Sequence, residues 1–364
     1  MTSSLPRLQL LALRRGVSIG FAAVALVCAL TPTQSVGQSA SPESRASTPA
    51  TPEAGARAQA PNERLARFHG SVVRVDARAV RGAQSADTLG ARRSGSGVLI
   101  DERTVLTIGY LLLEAEAVEI TSASGRKVPA NVAGYDHATG FGLLRALVPL
   151  DGTPLALGDS DRVAERETVL TLGHGETQAT ELYVVSRKPF TGSWEYLIER
   201  PIYTFPPVNN WSGSALFDES GKLIGIGSLI VNDAATDRRG VPGNLFVPVN
   251  LLKPILADLL ANGRRSGPVQ PWLGLATEMV QGHLMVARVS RDGPALGAGI
   301  ERGDIVLAVG GKRVAGQAEF YRQLWELGPA GTEVTLRMLQ QGEVRDVRLR
   351  SIDRADVLAK PSGV

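Results

Sequence analysis

Cysteine is almost absent: the 364 residues hold one, Cys28, inside an N-terminal apolar run. The rest of the chain therefore cannot form a disulfide, build a thiolate metal site or use a cysteine nucleophile, and it tolerates an oxidising compartment without pairing. Histidine is scarce too. The four, His69, His137, His174 and His283, are too scattered for metal-ligand spacing, so neither a metal nor a cofactor is expected. Charge of one sign is also missing. The net +3 comes from Arg7, Arg14 and Arg15 in the first 37 residues, and setting them aside leaves 36 basic side chains against 36 acidic ones. A nucleic-acid partner needs a clustered basic face. The adjacent pairs Arg92-Arg93, Arg238-Arg239 and Arg264-Arg265 are far apart in stretches that read as loops, which sets DNA and RNA aside.

What is present is a mixed composition, 43% hydrophobic, 21% charged and 5% aromatic, which excludes a fibre or a wholly disordered chain and suits two or three domains. The 40 glycines and 21 prolines have no period, so they read as turns between short strands.

The basic start, the apolar run from Val17 to Leu30 and the small residues Ser35-Val36-Gly37 follow the order of a secretory signal. The run is short for a membrane-spanning helix. Residues 1–37 are thus expected to be a signal peptide cut after Gly37, or alternatively a retained N-terminal anchor. Arg14-Arg15 is a weak match to a twin-arginine signal, and Val27 stands where a lipoprotein signal before Cys28 wants a small residue. Residues 38–62, rich in Ala, Ser, Thr, Pro and Glu, cannot bury enough surface to offset the entropy of ordering and read as a disordered linker.

From Leu65 onward, short β-type runs alternate with Gly, Asp and Asn turns: Val72–Val75, Val98–Ile100, Val105–Thr107, Val118–Ile120, Leu143–Leu147, Val169–Leu172, Leu182–Val185, Tyr196–Ile198 and Leu223–Ile230. This spacing predicts an all-β sandwich or barrel. Asn250 is expected to cap a helix through Leu251, Leu252, Ile255, Leu256, Leu259 and Leu260 that Gly263 ends. After a linker at 263–271, β-like runs at Leu284–Val289, Ile305–Val309, Val334–Met338 and Val344–Leu349, with a helix around Gln317–Leu327, predict a small α+β domain.

Gly95-Ser96-Gly97-Val98-Leu99-Ile100-Asp101, Leu155-Ala156-Leu157-Gly158-Asp159-Ser160 and Asn210-Trp211-Ser212-Gly213-Ser214-Ala215-Leu216 resemble, in this order, the early strand, the inter-barrel segment and the nucleophile loop of HtrA/Deg serine proteases. Trp272-Leu273-Gly274-Leu275, Gly293-Pro294-Ala295 and Ala298 to Val306 resemble the PDZ domain attached to such proteases. The resemblance implies a trypsin-like double β-barrel at 63–262, a PDZ domain at 272–352 and a tail at 353–364. It further implies an exported protein of the periplasm or cell envelope, and a homo-oligomer, although no local pattern shows one.

A serine nucleophile needs an imidazole to take its proton and a carboxylate to orient that imidazole. Ser212 stands at the nucleophile position, but the resemblance puts Tyr110 at the histidine position and Gly140 at the aspartate position. A phenol with a pKa near 10 is a poor base at pH 7. Asp136 and His137 are displaced and read as a solvated turn; His174 is the nearest thing to a substitute base. The oxyanion hole falls on Asn210 and Ser212, with Asn210 and Ser214 where the family carries glycines.

The expected function is that of a pseudoprotease in envelope protein quality control, a sensor or scaffold whose PDZ domain binds unfolded polypeptides or protein C-termini. An active serine endopeptidase using Ser212 with an unplaced base, and a chaperone-like holdase, are the alternatives. The expected peptide site is the loop Leu273-Gly274-Leu275, whose N–H groups would take a terminal carboxylate, with Phe320 and Leu324, beside Leu327, on the facing helix.

Overall fold

The computed structural model describes residues 68–360. The expected signal or anchor at 1–37 and the linker at 38–62 lie outside the described residues. The first six strands, β1 (Val72–Ala79), β2 (Arg92–Leu99), β3 (Thr104–Ile108), β4 (Ala115–Thr121), β5 (Lys127–Tyr135) and β6 (Phe141–Ala146), close an antiparallel barrel in the order β1-β2-β3-β6-β5-β4. A short helix, α1 (Ala86–Leu89), lies between β1 and β2. β1 shows how the sequence sets the barrel: Val73, Val75, Ala77 and Ala79 are buried, while Arg74 and Arg78 are exposed. That is the period of two that turns one side of a strand inward.

β7 (Thr168–Leu172), β8 (Thr180–Ser186), β11 (Ile202–Phe205), β12 (Ala215–Phe217), β13 (Leu223–Val231) and β14 (Gly243–Pro248) close a second barrel. β9 (Phe190–Gly192) and β10 (Tyr196–Ile198) stand apart from it as a separate hairpin. One apolar cluster runs from Val73 and Leu106 in the first barrel to Phe217 and Leu245 in the second, and Phe68 stacks on Phe217 at 5.8 Å. The barrels thus share one apolar core.

The expected helix after Asn250 is shorter than its apolar spacing suggests. Val249–Leu251 form a 3₁₀ turn, and α2 (Leu256–Asn262) starts only after Pro254. The Asn250 side chain does not cap; its Nδ2 donates to Asp159 and Asp161 at 2.7 and 2.8 Å. Gly263 ends α2 at φ 73°, the left-handed conformation glycine adopts without a Cβ penalty. The Arg92-Arg93 pair is likewise in β2, not a loop. Arg93 is buried, and its guanidinium donates to the carbonyls of Gly90, Tyr110 and Leu113 and to Ser85 Oγ, so it serves as a brace for the Tyr110 turn.

The last domain is a sheet in the order β15-β16-β17-β19-β20, formed by β15 (Leu275–Val280), β16 (His283–Val289), β17 (Ile305–Val309), β19 (Glu333–Gln340) and β20 (Glu343–Arg350), with β18 (Lys312–Arg313) paired to β17. α3 (Pro294–Gly297) and α4 (Gln317–Glu326) complete it. β15 is an edge strand, and α4 packs beside it.

Candidate active site and peptide groove

The Ser212 loop leads into β12 and is held from several sides. Ser96 N donates to Ser212 O at 2.7 Å, Gly213 N donates to Gly227 O at 2.8 Å, and both Ser214 N and Ser214 Oγ donate to Trp211 O. Gly213 is at φ 74°, and a Cβ there would come within 1.9 Å of Ser96 O, so only glycine fits. Asn210 Nδ2 donates to His174 O at 2.9 Å and packs where a Cβ on Gly173 would fall. The non-glycine residues at 210 and 214 are therefore built into hydrogen bonds of the loop.

Tyr110 lies in a 3₁₀ turn, Gly109–Leu111, that follows β3 directly. Its Oη is 2.8 Å from Ser212 Oγ and 3.0 Å from Ser228 O, so one phenol proton serves two acceptors. Burial pushes the Tyr110 hydroxyl up to about 12, outweighing the opposing effect of its hydrogen-bond contacts with Ser212 and Trp211. At pH 7 only about one such phenol in a hundred thousand is ionised. Gly109 N donates to Gly140 O at 2.7 Å, which ties the Tyr110 turn to the Gly140 turn. Gly140 is at φ 78°, and a Cβ there would lie 2.9 Å from Tyr196 Oη. Tyr196, in β10, covers the place from which a carboxylate at 140 would reach the cleft.

Asp136 does not lie in a solvated turn. Its side chain is 4% exposed and accepts from Thr139 N, Thr139 Oγ1 and both Arg265 Nε and Nη2, at 2.6 to 2.8 Å. The expectation failed because Arg265, 129 positions away, supplies the counter-charge that permits burial. His137 stands edge-on to Tyr135 at 4.4 Å; burial lowers it to about 3, with Arg354 adding to the shift, so it is neutral. His174 N donates to Ser96 Oγ, its buried Nδ1 has no partner among the described residues, and burial lowers its pKa. No hydrogen bond joins either ring to Ser212 among the described residues.

In the last domain Leu273, Gly274 and Leu275 do present their N–H groups to a carboxylate, and it is one of this chain's own. Leu273 N donates to Glu195 Oε1 and Oε2 at 3.2 and 3.1 Å, Gly274 N to Oε1 at 2.7 Å, and Leu275 N to Oε1 at 2.8 Å. Gly274, at φ 82°, lets the loop approach Gly293. Phe320 and Leu324 are fully buried in the domain's core, and Leu327 lies just past α4. Gln317 and Tyr321 of α4 hydrogen-bond to the β9–β10 hairpin, at Thr191 Oγ1 and Gly192 O.

Burial raises the Glu195 carboxyl to about 7, against the loop's N–H groups and Arg354, which favour the charged form. Tyr321 faces it from α4, and Asp136, His137, Arg265 and Asp353 share the adjoining cavity. A raised acid pKa means the folded protein holds the extra proton, so the contribution of Glu195 to stability is fully present below about 4.5 and is lost as pH rises through about 7. The loss of Tm caused by Glu195→Ala is expected to be larger at pH 5 than at pH 8, as differential scanning fluorimetry would show.

Glu195, Tyr196, Leu197 and Tyr321 were not singled out from the sequence. A signal for them existed: aromatic residues are 5% of the chain, yet Phe190, Trp194, Tyr196 and Tyr203 fall within fourteen positions. Tyr110, Tyr196, Trp211, Leu275 and Leu358 border a cavity of about 600 Å³ between the barrels and the last domain.

Residues 95–226 match the trypsin-like peptidase domain family, and residues 271–350 match the PDZ domain family. The periplasmic serine endoprotease DegP of Salmonella typhimurium is 27% identical over 271 residues, covering 70% of this chain and 56% of DegP. The periplasmic pH-dependent serine endoprotease DegQ of Escherichia coli is 28% identical over 272 residues, covering 70% of this chain and 58% of DegQ. The chain thus spans little more than half the length of these relatives. A solved HtrA-type protease, an AlgW variant with a tripeptide, matches at 21% identity and a TM-score of 0.51, covering 80% of this chain and 96% of that one, a likeness of fold.

Proposed function

Because the chain belongs to the HtrA/Deg family of trypsin-fold proteins that carry a PDZ domain, we propose that it is an exported pseudoprotease. In this reading the barrels no longer cut polypeptides, and the PDZ domain binds protein C-termini as a sensor or scaffold in envelope quality control. The periplasmic relatives support an envelope location, which fractionation of the producing cells would test.

The observation that carries the reading is the 2.8 Å contact of Tyr110 Oη with Ser212 Oγ. The hydroxyl that must lose a proton faces a group that holds its own, with glycine where the orienting carboxylate would stand. Without base and orienter, the remaining donors and binding groups leave only about 10³ to 10⁴ over the uncatalysed reaction, far below the 10⁶ or more of a working enzyme.

The purified protein is expected neither to digest casein nor to react with a fluorophosphonate beyond the level of Ser212→Ala. Casein cleavage that Ser212→Ala abolishes would overturn the reading and make His174 the first residue to mutate. Suppression of client aggregation without cleavage, unaffected by blocking the PDZ domain, would favour a holdase over a sensor.

A further inference from the structure

The hairpin β9–β10 turns through Ser193, Trp194 and Glu195, with Gly192 paired to Tyr196. Glu195 takes φ 60° at a turn position that usually goes to glycine or asparagine, a conformation unfavourable for a residue with a Cβ. That conformation directs its carboxylate onto the N–H groups of Leu273, Gly274 and Leu275. Two residues on, Leu197 is buried in the same apolar cluster as Leu273, Leu275, Phe320, Tyr321 and Leu324. The rest of the hairpin is held along α4. Tyr321 Oη donates to Gly192 O at 2.8 Å, Thr191 Oγ1 donates to Gln317 Oε1 at 3.0 Å, and Gln317 Nε2 in turn donates to Thr277 O on the edge strand β15.

A peptide C-terminus recognised beside a sheet edge offers a carboxylate for backbone N–H groups and an apolar side chain for a pocket. The hairpin offers both from one segment. We propose that β9–β10 is the resident ligand of the PDZ groove, with Glu195 in place of a terminal carboxylate and Leu197 in place of the last apolar side chain. An incoming C-terminus binds by displacing it. This inference rests on the reading of the domain as a C-terminus binder and adds what occupies it at rest. Tyr196 lies between the two anchors and donates to Thr139 O at 2.7 Å beside Gly140, so displacement of the hairpin also draws Tyr196 from the cleft wall.

Two readouts on the full chain separate this inference from its premise. Amide hydrogen exchange at Leu273–Leu275 reads the internal contact with no peptide present: protection in the native protein is expected to fall at least tenfold in Glu195→Ala and in Leu197→Ala. Unchanged exchange in both variants would overturn the proposal. Fluorescence anisotropy with a decapeptide ending in leucine, free or amidated at its C-terminus, reads the site. The free form is expected to bind the two variants at least tenfold more tightly than the native protein, and the amidated form to bind neither variant. Equal, tight binding of the free form by native protein and variants would overturn self-occupancy while sparing the peptide-binding reading. Faster exchange with no peptide bound by any form would overturn the peptide-binding reading and leave the internal contact standing.

Discussion

Tyr110→His combined with Gly140→Asp is expected to leave casein uncut and to destabilise the protein by about 3 kcal/mol, even though the pair supplies the histidine and aspartate that the proposed pseudoprotease reading finds missing. The limit lies at position 140. A side chain at φ 78° costs roughly 1 to 2 kcal/mol in the left-handed region. Its Cβ would also lie 2.9 Å from Tyr196 Oη and 3.4 Å from that ring. Tyr196 has little freedom to yield: it is buried, stacks on Trp194 at 5.6 Å and donates to Thr139 O. Placing histidine at 110 also removes the phenol contact to Ser228 O. For barrels of this size the cost corresponds to a fall in Tm of about 6 to 12 °C. Adding Tyr196→Phe should recover part of the Tm, because it removes the hydroxyl 2.9 Å from that Cβ while keeping the stacked ring. Further changes of Asn210 and Ser214 to glycine are expected to help only once that space exists, because those side chains bond His174 O and Trp211 O. Casein digestion by the double variant alone, at unchanged Tm, would show that Tyr196 does not block position 140.

The parts of this architecture that were readable from sequence are those whose pattern is local. β1, β3, β7 and β17 announce themselves as short β-branched runs, and Gly263 stops α2 where a left-handed terminus is needed. β5, β11 and β14 did not stand out. Their residues, such as Pro129, Gly134, Thr204 and Asn244, break the apolar run, and they are strands because barrel closure supplies both neighbours. Tyr110, Gly140 and Ser212 were singled out through motif resemblance, while their mutual geometry was not legible, because it depends on contacts 102 and 118 residues apart in the chain. Glu195 is the extreme case. A lone glutamate between two aromatics carries no local sign that its partners are backbone N–H groups 78 to 80 positions later. The same holds for Asp136, whose burial follows from an arginine beyond the second barrel.

Arg265→Ala is expected to lower stability by about 3 kcal/mol, the scale found when a buried carboxylate loses its counter-charge. Asp136 is 4% exposed and Arg265 32%, so the pair is held largely away from water, unlike Arg74–Asp76 or Arg345–Glu343, whose partners are exposed and screened by solvent. The effect should spread beyond the ion pair. Asp136 O accepts from Gly140 N at 2.8 Å and Asp136 N donates to Phe141 O, so the same residue sets the turn that places Gly140 against Gly109. Arg265 in turn fixes the segment leading from α2 to the PDZ domain. Asp136→Asn in the Arg265→Ala background is therefore expected to return part of the loss, since the neutral amide keeps an acceptor for Thr139 N and carries no stranded charge. Urea denaturation of the two single variants and the double variant measures this coupling. Additive losses would mean that the guanidinium does not compensate the buried carboxylate and that the turn at Gly140 is held by Thr139 alone.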